Sequence, residues 1–395
     1  MNILHVIVSM DPESGGPCQG IRNLEIGNKD SDVIRQVVCL DENYSKYINK
    51  DTFKINALGD GKGRWQYSKK LIPWLTANLE KFDIVIIHGL WQYHSYATWK
   101  VIKDLKKQYP NKKLPKVLVM PHGMLDPYFQ FAKDRRIKAI RNFFYWKFIE
   151  NRLVNDADGL LFTCEAELLL ARKTFTPYNP KKEYNIGYGV ATPPDFNEYM
   201  TTSFKEYCPG LKESSYLLFL GRIHEKKGVD LLINAYKLLS NQYIDMPKLV
   251  IAGPGLETAY GKKVQALAKG SSSESIFFTG MLSGDAKWGA YYGCEAFVLT
   301  SHQENFGISV AEALACSKPV LISDQVNIYR EIKKGGIVGS DNLESIKNII
   351  EKWIRLSDSE KNNMSENAFS VFKENFEIAP VSQRVNDVLY SLLDS

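Results

Sequence analysis

Cysteine is scarce in this chain, and long apolar runs are missing from it. Only six of the 395 residues are cysteines, and none lies in a Cys-x-x-Cys pair. This usage argues against a disulfide framework and a cysteine-ligated zinc site, and it is typical of a reducing compartment. No run approaches the ~20 apolar residues that cross a bilayer. Met1–Ser9 lacks the features of a signal peptide and indicates a buried first strand. We therefore expect a cytoplasmic protein.

The glycine patterns of the common nucleotide-binding folds are also missing. The sequence contains no Gly-x-Gly-x-x-Gly fingerprint and no Walker sequence, which argues against a nicotinamide-dependent oxidoreductase. Hydrophobic residues make up 44% of the chain and charged residues 24%, which is an ordinary globular composition. The length is sufficient for two domains with full cores.

Positive charge is concentrated in the first half. The net charge of +5 divides into +8 for residues 1–195 and −3 for the remainder. This asymmetry predicts either contact with an anionic partner or membrane surface, or a solvated basic face. Residues 129–148 are rich in both basic and aromatic side chains. They fit a helix on an anionic membrane surface or an amphipathic helix packed on its own sheet.

Short, continuous apolar runs alternate with helical stretches through both halves. Continuous runs are typical of strands buried on both faces of a parallel sheet. The predicted strands are Ile3–Val8, Ile34–Leu40, Ile84–Ile87, Val117–Met120, Gly159–Thr163, Tyr216–Leu220, Lys248–Ala252, Ser275–Phe278, Ala296–Thr300 and Pro319–Ile322. The pattern predicts an α/β protein with two doubly wound parallel-sheet domains.

Residues 191–215 contain Pro193-Pro194 and lack an apolar period, so they predict the linker. We expect an N-terminal Rossmann-like domain over residues 1–195 and a second over residues 196–375, facing each other across a deep cleft. Residues 376–395 predict a helix that crosses back to the first domain, with one apolar stripe: Val381, Val385, Val388, Leu389 and Leu392.

The most informative motif is the segment Glu304–Glu312, in which two carboxylates stand eight positions apart around a Phe-Gly step. If residues 305–308 open a helix, their backbone N–H groups can bind an anion. Glu304 then precedes the helix and Glu312 lies about two turns into it. The arrangement suits a ligand with a central phosphate and hydroxyls at both ends, such as a nucleotide-sugar. The alternative is a plain helix start with two solvated acids.

Basic residues follow the predicted strand Tyr216–Leu220. Arg222 leaves the strand end, and Lys227 precedes a glycine and the next helix. Two cations at this spacing can clamp a diphosphate, the arginine by its planar fork and the lysine as a point charge. The alternative is a basic surface loop.

Residues in the first half also stand at predicted strand ends. His122 follows Val117–Met120 between a proline and a glycine, and His88 ends the strand before it. Trp91 and Tyr93 suit a sugar-stacking platform, or they belong to the core. Gly15-Gly16 follows the first strand and permits close approach of a ligand to the backbone.

Asp156-Ala-Asp158 has the form of an Asp-x-Asp metal site. It precedes a predicted strand, so it lies at the amino end of the sheet. We interpret it as structural and expect no metal.

Taken in order, these motifs resemble glycosyltransferase family 4, retaining enzymes of the GT-B fold. The resemblance rests on the Gly-Gly-Pro loop, His122, Gly221–Asp230, Ala252-Gly-Pro-Gly255 and Glu304–Glu312, and it spans nearly the whole chain. Asp324–Glu331 departs from the family's common Gly-Gly-x-Pro-Glu loop and looks like a branch associated with exopolysaccharide synthesis.

The resemblance implies a role for each matching residue. Arg222 and Lys227 would hold the donor diphosphate, Glu304 the donor sugar and Glu312 the ribose. His122 would lie near the reacting sugar. Apart from the resemblance, the positions of His88, Trp91 and Tyr93 at and after a strand end predict contact with the acceptor. The remaining donor-binding residues would be Gly16, Gly253, Phe278, Thr279, Gly280, Met281, Asn305, Phe306, Gly307 and Ile308.

The resemblance further implies a hexosyltransferase without cofactor or metal ion, active in polysaccharide biosynthesis. Its donor would be a nucleotide-diphosphate sugar, with UDP-glucose favoured by family frequency. Its acceptor would be a saccharide or a lipid-linked saccharide, and no nucleic acid is implied. The leaving phosphate would deprotonate the acceptor on the same face. The alternatives are a nucleotide-sugar 2-epimerase or a non-catalytic sugar-nucleotide binding protein of the same fold.

Overall fold

The computed structural model of the chain describes residues 1–12, 15–28, 32–48, 50–59, 61–131, 136–269 and 275–394. The chain forms two compact units. The first unit comprises Met1–Gly189 and Ile378–Ser395, and the second comprises Val190–Glu377. The unit boundaries therefore lie six and two residues from the predicted domain limits at 195 and 375.

The first unit is a parallel sheet with helices between its strands. Its strands are β1 (Asn2–Val6), β2 (Ile34–Cys39), β3 (Lys54–Ala57), β4 (Ile84–His88), β5 (Lys116–Met120), β6 (Gly159–Phe162) and β7 (Glu183–Asn185). Its helices are α1 (Gly16–Ile26), α2 (Leu71–Asn78), α3 (Tyr93–Gln108), α4 (Tyr128–Phe131), α5 (Arg136–Tyr145), α6 (Asn151–Asp156), α7 (Glu165–Ala171) and α15 (Ile378–Leu393). In the described residues the strand order is β3-β2-β1-β4-β5-β6-β7.

The second unit repeats this construction. Its strands are β8 (Tyr216–Leu220), β9 (Lys248–Ala252), β10 (Ile276–Gly280), β11 (Ala296–Leu299), β12 (Val320–Ser323) and β13 (Gly336–Gly339). Its helices are α8 (Glu198–Tyr207), α9 (Val229–Ser240), α10 (Ala259–Ala268), α11 (Gly284–Gly293), α12 (Ile308–Ala315), α13 (Leu343–Arg355) and α14 (Asp358–Asn375). Over the described part of the chain the order is β10-β9-β8-β11-β12-β13.

Burial of the central strands on both faces accounts for the strand predictions. All ten predicted strands form, and the ladders that join them are parallel. The strands not predicted are β3, β7 and β13, which lie at sheet edges. Their half-exposed or very short sequences carry little of the continuous apolar pattern on which the prediction depended.

The C-terminal helix α15 belongs to the first unit, as predicted. Its apolar stripe packs into one core cluster with side chains of the sheet, in which Val385, Leu389 and Leu392 are buried. Asn386 on the same helix hydrogen-bonds to Asn28 after α1. The stripe repeats at helical spacing because only one face of the helix meets the sheet.

The aromatic and basic stretch forms α5 and a following π-helical turn, Trp146–Glu150. Its inward stripe consists of Ala139, Asn142, Trp146 and Glu150, all of them buried. Lys133 and Arg135 of the predicted segment lie outside the described residues. Among the described residues, no helix combines the length and apolar character needed to cross a membrane.

Candidate functional site

The strand order of the second unit places two predicted motifs side by side. All its strands are parallel, but the order in which the chain adds them reverses between β8 and β11. Ligands bind at the carboxyl ends of strands at such a reversal point. Lys227 follows β8 and Glu304 follows β11. Although 77 positions apart in sequence, the Lys227 ammonium and the Glu304 carboxylate form an ion pair.

The surroundings of Lys227 tune its charge. The Lys227 and Glu304 side chains are only 19% and 21% exposed. Burial and the neighbouring cations Arg222 and Lys226 lower the pKa of Lys227 to about 8, while the Glu304 carboxylate in contact with it opposes that shift. Arg222 itself is exposed. Together with Arg222 and Lys226, Lys227 makes three cations beside the single carboxylate of Glu304, and this excess of positive charge favours an anionic ligand.

Backbone contacts fix the loop after β8 against the end of β11. The His302 amide donates to the Lys226 carbonyl at 2.8 Å, and the Thr300 hydroxyl donates to the Gly228 carbonyl at 2.8 Å. Gly228 has φ 60°, and a Cβ there would lie 2.1 Å from the Thr300 oxygen. Only glycine permits this approach, which explains the Lys-Gly step.

Helix α12 begins at Ile308, the last of the four residues predicted to open it. Gly307 is its N-cap with φ 81°, and Val310 donates to the Gly307 carbonyl at 2.8 Å. The first-turn N–H groups of a helix have no intrahelical acceptor and form an anion-binding end. Of the predicted residues, Gly307 and Ile308 lie at this end of the helix, and Asn305 and Phe306 connect it to Glu304.

The departing loop, Asp324–Glu331, holds the backbone of Glu304. The Glu304 amide donates to the Gln325 carbonyl at 2.9 Å, and the Asn327 amide donates to the Glu304 carbonyl at 3.0 Å. These two hydrogen bonds tie the position of the Glu304 backbone to that of the loop. The sequence identified the loop as unusual but did not show this connection.

Glu312 has two partners that sequence reasoning missed. The Lys287 ammonium lies 2.6 Å from Glu312 Oε1, and the Tyr291 hydroxyl donates to Oε2 at 3.0 Å. Both partners project from α11. No local pattern links α11 to α12, so only the folded chain reveals this clamp. It fixes the carboxylate about one turn into α12, which begins at Ile308, rather than two turns as predicted, whereas Glu304 precedes the helix.

The remaining predicted donor residues lie at the ends of β9 and β10. The Gly253 amide donates to the Gly280 carbonyl at 2.7 Å, and Gly253 has φ 142°. Phe278 and Thr279 are half-buried, and Met281 is largely exposed. These residues share the carboxyl edge of the sheet with Lys227 and Glu304, farther from the reversal point.

In the first unit, His122 occupies a strained turn after β5. Its φ is 52°, a conformation that non-glycine residues seldom adopt and that is concentrated at functional sites. Buried Glu167 holds the turn, because its carboxylate accepts from the Gly123 amide and from the Thr163 amide and hydroxyl. Sequence reasoning missed Glu167.

The other first-unit residues predicted to meet the acceptor are less exposed to solvent than that role leads us to expect. His88 is 5% exposed, and its two ring nitrogens bond to His5 at 2.8 Å and His122 at 2.9 Å. Tyr93 is a buried member of the core cluster, and Trp91 is partly buried and packs against that cluster. Burial suits an internal role for His88 and Tyr93 better than direct contact with an acceptor.

The loop that follows β1 approaches the end of β7. The Gly16 carbonyl accepts from the Tyr188 hydroxyl at 2.7 Å, and Gly15 has φ 92°. Glu13 and Ser14 of this loop lie outside the described residues.

The two acids of Asp156-Ala-Asp158 have internal partners. The Trp99 indole donates to Asp156 at 2.9 Å, and the Val117 amide donates to Asp158 at 2.8 Å. Both acids precede β6 and lie at the amino edge of the first sheet, where the structural interpretation put them.

Residues 209–371, most of the second unit, match the sequence model of the family "Glycosyl transferases group 1". Over 192 residues, the chain is 29% identical to lipopolysaccharide 1,2-N-acetylglucosaminetransferase of Salmonella typhimurium, covering 46% of this chain and 50% of that protein. It is 26% identical to D-inositol 3-phosphate glycosyltransferase of Jonesia denitrificans, covering 49% and 47%. The chain thus spans about half the length of these curated relatives.

Among solved structures, Anabaena Alr3699/HepE, crystallised with UDP and glucose, aligns with a TM-score of 0.72 at 16% identity. The alignment covers 99% of this chain and all of that one. The fold is therefore the predicted one, GT-B, with two parallel-sheet α/β domains. Together with the family match, it supports a glycosyltransferase.

Proposed function

We propose that the chain is a retaining hexosyltransferase that uses a nucleotide-diphosphate sugar without a metal ion. Its favoured donor is UDP-glucose, and its acceptor is a saccharide or lipid-linked saccharide in polysaccharide synthesis. The observation that carries the proposal is the meeting of Lys227, Glu304 and the start of α12 at the reversal point of the second sheet. The HepE structure with bound UDP-glucose supports the choice of donor.

The chemistry follows from the charges. Glycosyl transfer builds negative charge on the departing diphosphate, and Lys227, Arg222 and the N-terminus of α12 supply the opposite charge at fixed positions. Preorganised donors of this kind are each worth roughly 3–4 kcal/mol in the transition state. Glu304, once released from Lys227, would accept hydrogen bonds from donor-sugar hydroxyls, and Glu312 would accept from the ribose.

The experiment is a donor panel with a chemical readout. Purified protein is incubated with UDP-glucose, GDP-mannose or ADP-glucose and an acceptor pool, and nucleotide release and product anomer are measured. We expect UDP release, an α-configured product and activity that survives EDTA. Arg222→Ala and Lys227→Ala should each abolish transfer, whereas Lys352→Ala, on the exposed side of α13, should not. Turnover that EDTA removes and manganese restores would refute the metal-free mechanism.

We also propose that the first unit contacts an anionic membrane through α5 and its π-helical extension. The outward face of this segment exposes Ile137, Ile140, Phe143, Phe144 and Phe148. The same face carries Lys138, Arg141 and Lys147, which are also exposed. An exposed apolar face rimmed by basic residues fits the boundary between headgroups and acyl chains. The segment thus packs on its own unit through the inward stripe, and its outward face is the one that would meet the membrane.

Vesicle sedimentation tests this surface. The protein should sediment with phosphatidylglycerol vesicles more than with phosphatidylcholine vesicles, and high salt should weaken the association. Phe143→Ser combined with Phe148→Ser should reduce it about tenfold or more. The matched control is Tyr199→Ser, which removes an equally exposed ring from α8. Equal sedimentation of all three proteins, or no effect of salt, would contradict the proposal.

A further inference from the structure

Three histidines form a continuous hydrogen-bonded chain inside the first unit. His5 Nδ1 lies 2.8 Å from His88 Nε2, and His88 Nδ1 lies 2.9 Å from His122 Nε2. The rings come from β1, β4 and the turn after β5, which are adjacent in the sheet. His5 and His88 are buried. We call this series the histidine relay.

The relay permits only two arrangements of protons when its rings are neutral. Burial lowers the pKa of His5 to about 3 and of His122 to about 4, and it holds the pKa of His88 well below the ordinary range. A neutral imidazole has one donor and one acceptor nitrogen. His88 must therefore donate to one neighbour and accept from the other, so all three rings carry Nδ1–H or all three carry Nε2–H.

A buried arginine next to the inner end of the relay distinguishes the two arrangements. Arg35 on β2 pairs in register with Ile3, and His5 pairs with Val37, so Arg35 and His5 share one face of the sheet. Arg35 is 3% exposed. It forms a long ion pair with Glu25, in which Nη1 lies 3.6 Å from the carboxylate.

At this end of the relay, the polar atoms that make no hydrogen bond within the described part of the chain include donors on Arg35 and a possible acceptor on His5. Among the described residues, the three guanidinium nitrogens of Arg35 and the Nε2 of His5 have no hydrogen-bond partner. The charge of Arg35 also disfavours protonation of His5. A lone pair on His5 Nε2 is attracted to the guanidinium, whereas an N–H group there is repelled by it. The second case also leaves a buried donor unsatisfied.

We propose that Arg35 fixes the tautomer of His122 through the relay, so that all three rings carry their proton on Nδ1. His122 then holds Nδ1–H as its remaining polar group, a hydrogen-bond donor. His5, His88 and Arg35 are positioning residues that act through His122. Glu167 complements them because it fixes the turn that carries the ring.

The consequence for catalysis rests on the proposed function. A His122 that donates through Nδ1 can hold a sugar hydroxyl oxygen or stabilise developing negative charge, but it cannot remove a proton with that atom. This agrees with a reaction in which the leaving phosphate takes the proton of the acceptor.

Imidazole nitrogen NMR on the full chain labelled with ¹⁵N-histidine reads the tautomers directly and needs no substrate. His94 serves as the internal reference, because its Nε2 donates to the His88 carbonyl at 2.8 Å and must carry the proton. We expect Nδ1–H on His5, His88 and His122. Nε2–H on His122 in the unsubstituted protein would overturn the proposal.

Two variants of His5 of similar shape form the matched test. In His5→Asn the side-chain amide can still donate to His88, so His88 and His122 should keep Nδ1–H. In His5→Asp the carboxylate can only accept and has Arg35 as a counter-ion, so both rings should switch to Nε2–H. An unchanged His122 in a folded His5→Asp protein refutes the relay. If that variant does not fold, Arg35→Met replaces it, and an unaltered Nδ1–H population refutes the role of Arg35.

A transfer assay on the same proteins separates this inference from the proposed function. If His122 donates to the substrate, His5→Asp should lower the transfer rate roughly ten- to a hundredfold, while His5→Asn should stay within a few-fold of the parent. A switched tautomer with unchanged transfer would leave the relay intact and remove the donor role of His122. Absence of transfer in the parent protein would refute the proposed function and leave the spectra as the test of the relay.

Discussion

Replacing the two partners of the Lys227–Glu304 ion pair should change the affinity for UDP in opposite directions. Under the proposed function, Lys227 would exchange the Glu304 carboxylate for the diphosphate when a nucleotide binds. Lys227→Met removes a charge-assisted contact worth about 1.5–3 kcal/mol, so UDP should bind roughly ten- to a hundredfold more weakly. Glu304→Gln removes the competitor and one negative charge near the diphosphate.

The expected gain from Glu304→Gln follows from the exposure of the pair. With both side chains about four-fifths buried, the contact is worth somewhat more than the 0.2–1 kcal/mol of an exposed pair after solvent screening. We take about 1 kcal/mol as a lower bound, so UDP should bind at least about fivefold more tightly to Glu304→Gln. Transfer from UDP-glucose should nevertheless fall, because the donor sugar would lose its carboxylate partner.

Titration calorimetry of UDP binding to the parent and to both variants measures these changes in affinity. Lys352→Met serves as the control for removal of a surface charge. The ion-pair exchange is refuted if Glu304→Gln weakens UDP binding as Lys227→Met does. That result would mean that Glu304 stabilises the site in both states rather than competing with the ligand.

Three further outcomes are expected in the first unit. Burial raises the pKa of Glu150 to about 7, above its unfolded value, so its contribution to stability is complete below pH ~4.5 and is lost as the pH rises through 7. Glu150→Gln, compared with the parent by urea unfolding at pH 5 and pH 8, should gain on the order of 3 kcal/mol between the two; an equal difference at both pH values would contradict this. Glu167→Ala leaves three buried donors unsatisfied and should lower the free energy of unfolding by about 2–4 kcal/mol. It should also shift the His122 resonances, whereas a substitution in a remote loop should not. Leu389→Ala removes a fully buried side chain of α15 and should cost about 2–5 kcal/mol, whereas Tyr390→Ala, on the more exposed side of the same helix, should cost less than half as much.

The sequence alone was sufficient to predict the fold class, because parallel strands covered on both faces leave a strong local pattern. Each buried strand is a continuous apolar run, and each helix between strands has its own period. The stripe on α15 predicted its return to the first unit for the same reason. The edge strands β3, β7 and β13 escaped prediction, since a strand with one neighbour and partial exposure is under weaker compositional constraint.

The candidate site was likewise predictable from the sequence only in part. Sequence spacing located Lys227, Glu304 and Glu312 at strand ends and at a helix start, because those positions follow from the order of elements along the chain. Nothing local shows that Lys227 contacts Glu304 or that Lys287 and Tyr291 clamp Glu312. Those partners come from separate elements.

The histidines show most clearly which features of the protein depend on its tertiary structure. The sequence predicts His88 and His122 at strand ends, and His5 stands out as the polar residue within the apolar run Ile3–Val8. Local sequence determines which residues lie in strands and at their ends, because hydrophobic periodicity acts over a few residues. Only the tertiary structure decides which strand ends become neighbours. The order β2-β1-β4-β5 therefore turns Arg35, His5, His88 and His122 into a connected series.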